Sequence, residues 1–220
     1  MNRLTRPLAA LAGSLLLVAC TNGISITDGV VGAGSAETET RTIEDFDRVE
    51  IGGGVELEVT VGAATSFEIT AQPNLLPILS SEVDGGTLRV RGTDSYTATE
   101  TVVVRVSTPE LHGLDLSGGS RGSVTGVDAD RLEIELSGGS QLSLGGTAAD
   151  LSLSVSGGSR ASLTDLEVAT ASVELSGAGR AELTATDRVT GEASGGSALE
   201  VRGPAAVEVD ASGGSSVTTP

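Results

Sequence analysis

The tetrad Ser-Gly-Gly-Ser, or a close variant, begins at Ser117, Ser137, Ser156, Ser176, Ser194 and Ser212, in steps of 20, 19, 20, 18 and 18 residues. A period this short and regular constrains the fold more than any other feature, because such a unit cannot bury its own apolar face and must stack on its neighbours. An alternating segment leads into each tetrad, as in Leu132-Glu133-Ile134-Glu135-Leu136 and Val207-Glu208-Val209-Asp210-Ala211. A second alternation follows it, with Leu142 and Leu144, Ala161 and Leu163, Ala181 and Leu183, and Leu199 and Val201 at every other position. Period two marks strands with one face in and one face out. The glycines fall where the chain must turn, since Gly takes positive φ without steric cost. The expected fold is all-β, a right-handed parallel β-helix or β-solenoid with coils of about 18–20 residues. An antiparallel sandwich would also space its turns closely, but has no reason to hold columns in register over successive repeats.

Residues 45–116 carry the same alternation with less regularity, through Val49, Ile51, Val55, Leu57, Val59 and Val61, then Phe67 and Ile69, Leu88 and Val90, and Val102, Val104 and Val106. Residues 73–83 interrupt it and read as a helical turn or a protruding loop. Stacked from residue 45 onward at about 19 residues per coil, the body would hold roughly nine coils and be about 43 Å long. Inward small residues (Ala, Val, Leu and Gly191) suit a narrow interior, which accounts for two Phe, one Tyr and no Trp in 220 residues.

At the N-terminus, Arg3 and Arg6 precede an apolar run from Leu8 to Ala19. That run is too short to span a bilayer, for which about 20 residues are needed, and reads as a signal-peptide core. It ends Leu17-Val18-Ala19-Cys20, which resembles the bacterial lipoprotein box and holds the only Cys of the chain. The expectation is a signal peptide over 1–19, a lipidated Cys20 leading a flexible tether over 20–44, and a solenoid domain over 45–220. Each buried methylene of the acyl chains would add about 0.8 kcal/mol to the membrane anchor. Thr21 stands where an inner-membrane retention signal would have Asp, so the expected location is the outer membrane, on its periplasmic face or at the cell surface.

The 30 acidic residues outnumber 13 basic ones, all Arg. Loss of residues 1–19 would leave 11 Arg and a net charge of −19. That charge repels phosphate and three aromatics supply no stacking platform, so nucleic acid is excluded as a partner. One His and one Cys cannot form a His/Cys metal cluster, and no cofactor or metal is expected. Gly118-Gly119-Ser120-Arg121-Gly122 matches the hydrolase pattern Gly-x-Ser-x-Gly, but the sole His112 lies upstream and the equivalent serines recur in other repeats. Stacking would align Asp115, Glu135, Ser154, Glu174, Glu192 and Asp210 in one acidic column, and Arg121, Gln141, Arg160 and Arg180 in a partly basic column across the turn. The acidic column could collect cations through oxygen ligands or meet a basic partner. It also reads as a solvated face whose like charges are eased by the neighbouring Arg column.

The opening Phe46-Asp47-Arg48-Val49, the glycine-interrupted strand pair at 51–61, Asp84-Gly85-Gly86-Thr87-Leu88 and the Val104–Leu116 approach to the tetrads resemble, in that order, the head GIN domain family labelled as an autotransporter adhesin. The resemblance covers about residues 42–215. It implies a β-helical fold, an envelope lipoprotein or secreted protein, and no assigned catalytic residues. The resulting expectation is a non-enzymatic, membrane-anchored module that meets an envelope protein or a glycan. The rival readings are a regulatory partner of an envelope-sensing system and a polysaccharide-active β-helix enzyme.

Overall fold

The computed structural model describes residues 29–220. The chain starts with β1 (Val30–Val31), β2 (Glu37–Thr40), β3 (Arg48–Ile51), β4 (Glu56–Val61), β5 (Ser66–Ala71), β6 (Leu79–Asp84), β7 (Thr87–Gly92), β8 (Tyr96–Thr97) and β9 (Val103–Thr108). Strands β3 and β4, joined by the glycine turn at 52–54, form the first coil of the stack. Outside this coil β7 pairs parallel with β3, and β9 pairs parallel with β4. Two antiparallel pairings then close the end. Strand β6 returns on β7 through Gly85 and Gly86, and β5 runs back along β9, with β2 antiparallel on its outer edge.

The repeats follow as β10 (Gly113–Leu116), β11 (Arg121–Leu136), β12 (Gln141–Val155), β13 (Arg160–Leu175), β14 (Arg180–Ala193), β15 (Ala198–Arg202), β16 (Ala206–Ala211) and β17 (Ser216–Thr218). All pair in parallel, one coil on the next. Each long strand serves two faces, since its start and its end lie on either side of a tetrad turn. The register breaks between them, as at Val124/Val127, mark the corner. The inward columns are apolar. Leu132, Leu151, Ala171 and Val189 form one, and Leu136, Val155, Leu175 and Ala193 another; all are buried. Burying a side chain of the Val or Leu kind contributes about 1.5–3 kcal/mol, so stacking supplies what no single coil can.

The fold is the expected parallel β-solenoid, but it has about five turns rather than nine. The difference lies upstream of residue 113, where alternation goes into antiparallel cap strands that add width instead of coils. Residues 73–83 contain a 3-10 turn at Leu76–Ile78 and then enter β6. The tether is corrected too. Cys20 and the signal segment lie outside the described residues, but 29–44 are tied to the body rather than free. Val30 and Val31 pair with Tyr96 and Thr97, and Glu37–Thr40 pair with β5. Asn74 accepts a hydrogen bond from the Ala33 amide at 2.8 Å and donates one to the Val31 carbonyl at 2.8 Å. The Arg41 guanidinium donates to the Leu76 and Leu79 carbonyls at 2.9 and 2.6 Å, capping the 3-10 turn. Polar composition suggested a coil because the holding groups are side chains some forty residues away.

Gly191 is likewise not an ordinary small core residue. Its φ is +139°, and a Cβ there would lie 1.9 Å from the Val173 carbonyl oxygen. It is required by close backbone approach rather than by a narrow interior.

Candidate functional site

The tetrad turns form the spine from which both outward columns spread. Their closing serines do not offer a hydroxyl-rich surface, because Ser120, Ser140, Ser159 and Ser197 are buried. The Ser120 and Ser140 hydroxyls each donate to the carbonyl three residues back, at 2.8 Å. The Ser159 hydroxyl accepts from the Gly139 and Ser140 amides of the preceding coil, both at 3.2 Å. Ser159 thus ties two adjacent turns together, while Ser120 and Ser140 each close their own turn. The Gly pair permits the stacking. A Cβ on Gly138, whose φ is +67°, would sit 2.9 Å from the Gly118 nitrogen one coil below.

On the strand before each turn the acidic residues stand in register. Asp115 pairs with Glu135, Glu135 with Ser154, Ser154 with Glu174, Glu174 with Glu192, and Glu192 with Asp210. The column continues into the cap through Glu50 and ends on Arg89. That extension was missed because β3 precedes β10 by more than sixty residues and no glycine tetrad marks it. Arg89 donates to Glu50 at 2.8 Å and to Asp84 at 3.2 Å, and its own pKa is raised, chiefly by the hydrogen bond to Glu50. Asp115 is half-buried between Glu50 and Glu135. Its carboxyl is pushed above the usual range, first by burial and then by the charges of those two neighbours.

The Arg column does not ease these charges. Among the described residues no ion pair joins it to the acidic column; its one pair is Arg160 with Glu182 at 3.6 Å, on its own face. Relief comes instead from within the acidic face, near its two ends: Arg188 donates to Glu208 at 2.8 Å at one, and Arg48 acts at the other. Arg48 lies flat across Gly113, where a Cβ would come within 2.7 Å of its Nη1, and donates to Glu133 two strands away at 2.8 Å. A side chain at residue 113 would break that bridge.

After each turn, Arg121, Gln141, Arg160 and Arg180 stack in register, with Glu56 beyond Arg121. Two residues further along, Ser123, Ser143 and Ser162 form a parallel column between Glu58 and Glu182. Of these, Glu56, Arg121, Gln141, Arg160 and the three serines line a shallow groove of about 210 Å³, and Arg180 lies one strand beyond it. The serine column was legible in the alternation but carried no chemical signal by itself.

His112 and Tyr96 belong to the cap. The His112 Nδ1 lies 3.3 Å from an Asp47 carboxylate oxygen. Tyr96 packs its ring where Gly92 leaves room, and burial raises its phenol pKa. Among the described residues, no group of three His, Cys, Asp or Glu side chains is arranged to hold a metal ion.

A parallel solenoid with polar columns on both sides of a glycine spine belongs to the class of stacked repeat proteins, in which each unit contacts only its neighbours. The chain is a member of the family described as "Putative auto-transporter adhesin, head GIN domain", which matches residues 45–205. Its fold is shared by solved structures of low sequence identity. One, from Bacteroides fragilis NCTC 9343 and described as a "putative adhesin", superposes with a TM-score of 0.72 at 16% identity, over 87% of this chain and 100% of that one. Another "putative adhesin", from Parabacteroides merdae ATCC 43184, gives 0.59 at 18% identity over 87% and 98%. A "Putative lipid binding protein" from Parabacteroides distasonis ATCC 8503 gives 0.55 at 19% identity over 87% and 99%. No curated protein matches the sequence.

Proposed function

We propose that the protein is a non-catalytic, adhesin-like interaction module, held at the outer membrane by acyl chains on Cys20 and presenting its solenoid faces to an envelope or surface partner. The observation that carries this reading is the run of polar columns kept in register over successive coils, on a scaffold whose family is named for adhesion. Such columns form a long, rigid, repetitive surface, which suits recognition along a length rather than chemistry at a point. The anchor rests on the lipoprotein-box resemblance at Leu17–Cys20. Among the described residues no helix is long and apolar enough to cross a membrane, so acylation would supply the attachment.

The test is fractionation. Cys20→Ala should move the protein from the membrane pellet to the soluble fraction, and an unchanged distribution would overturn the anchor. Protease added to intact cells should degrade the native protein if it acts as an adhesin. Full protection until the outer membrane is opened would place its partner in the periplasm and remove the adhesive role.

A further inference from the structure

Among the described residues 11 arginines face 29 acidic residues. Eight of the eleven lie within 4 Å of a carboxylate, in pairs from Arg41–Glu39 to Arg202–Glu200. The three without such a partner are Arg121, Arg131 and Arg180. Two of these stand in one column, with Arg160 and Gln141 between them. On so acidic a surface an unpaired guanidinium runs against the trend; Arg121 lines the groove with Arg160, and Arg180 stands one strand beyond it in the same column.

We propose that this arginine–serine face binds an acidic oligosaccharide, a chain of sugars bearing carboxylate groups, laid along the stack. The proposal rests on the interaction-module reading above and names its ligand class. Adjacent strands are about 4.8 Å apart, which puts Arg121 and Arg160 about 10 Å apart and Arg180 one step beyond. Guanidinium groups take carboxylates by paired, charge-assisted hydrogen bonds. Between and beside them, Gln141, Glu56 and the Ser123–Ser143–Ser162 column alternate donors and acceptors suited to sugar hydroxyls. The groove is shallow and crosses the strands from β4 to β13, which suits a thin chain laid along the stack. Arg121 also edges a second groove of about 360 Å³ that holds Tyr96 and Glu100, which extends the path toward the cap.

Charge selects against other anionic partners. A flat anionic bilayer would bring the whole net negative body against it. A narrow chain reaches the arginines inside the screening length of about 8 Å at physiological salt. Single-stranded nucleic acid would need a series of aromatic platforms where this face has Tyr96 alone.

The test is titration of the detergent-solubilised full chain with three uronate tetrasaccharides, built on galacturonate, mannuronate and glucuronate. Their neutral methyl esters and inorganic phosphate serve as comparisons. At least one acid form should bind. Arg121→Ala and Arg180→Ala should each weaken it about tenfold, as expected for loss of a charge-assisted hydrogen bond. Arg131→Ala, an equally unpaired arginine on the other face, should leave it unchanged. Failure of all three acids to bind would overturn the proposal, as would equal binding of the esters, equal occupancy by phosphate, or equal loss in Arg131→Ala. These titrations are made off the cell, so a negative result sinks the ligand class while the Cys20→Ala fractionation still decides the envelope role.

Discussion

The cap and the coils bury aliphatic side chains equally well, yet they solve different problems. From β10 onward every strand is parallel and the buried side chains are Leu, Ile, Val, Ala and Ser. Upstream, both phenylalanines of the chain, Phe46 and Phe67, are buried, and β5 and β6 run antiparallel to their neighbours. A coil in mid-stack has a copy of itself above and below, so modest side chains in register suffice. The terminal coil has nothing on one side and needs bulk from a different source. The far end teaches the same lesson by contrast. There Val207, Val209 and Val217 are only partly buried and β16 and β17 form a bare edge. Glu208 and Asp210 charge that edge and Glu37 and Glu39 charge β2 at the other, which discourages strand addition at both.

The contrast can be broken most directly at Phe67. Phe67→Ala should cost about 3–5 kcal/mol of stability in urea unfolding, because a rigid cap cannot refill the space. Leu153→Ala in mid-stack should cost less, about 2–3 kcal/mol. An equal or larger loss at Leu153 would mean that the coils, not the cap, set the stability.

Next in size is Ser159→Ala, which removes the side-chain acceptor of the Gly139 amide and one of the two acceptors of the buried Ser140 amide, and should cost about 1–2 kcal/mol. Ser143→Ala, on the exposed serine column, should stay within about 0.5 kcal/mol. Similar effects at both would deny the distinction between structural and displayed serines.

The smallest effect is expected at Asp115. Its folded pKa lies above the ordinary carboxylate value, so the native state binds the proton more tightly than the unfolded chain. Stability contributed by this group is therefore present at low pH and falls as pH rises from the ordinary value through the raised one. Asp115→Asn should raise the melting temperature slightly at pH 7, with a gain of about 0.5 kcal/mol, and the gain should vanish below the ordinary Asp pKa. A gain that grows on acidification would reverse the assignment.

The coils were legible because tetrads and period-two alternation report the same geometry twice. Pairings such as Glu135 with Ser154 can be counted off the spacing. The cap was not, since Phe67 and Ile69 alternate as Val104 and Val106 do, and alternation carries no strand direction. The columns were legible as residues but not as charges. Whether Arg160 meets Glu174 or Glu182 depends on which face each occupies, and the bridge from Arg48 to Glu133 spans 85 positions over a glycine that looks unremarkable in sequence.

The buried serine ladder has a consequence for how such a protein can change over generations. Each rung makes its bonds only to its own turn and to the one before it. Ser176-Gly177-Ala178-Gly179 already shows one rung without its serine, still paired on both sides. Duplication or loss of one whole unit would therefore alter no contact in kind. It would change only the reach of the molecule, by about 4.8 Å each time. Length is the one dimension this architecture leaves open to selection, in the manner of a ruler cut at any mark.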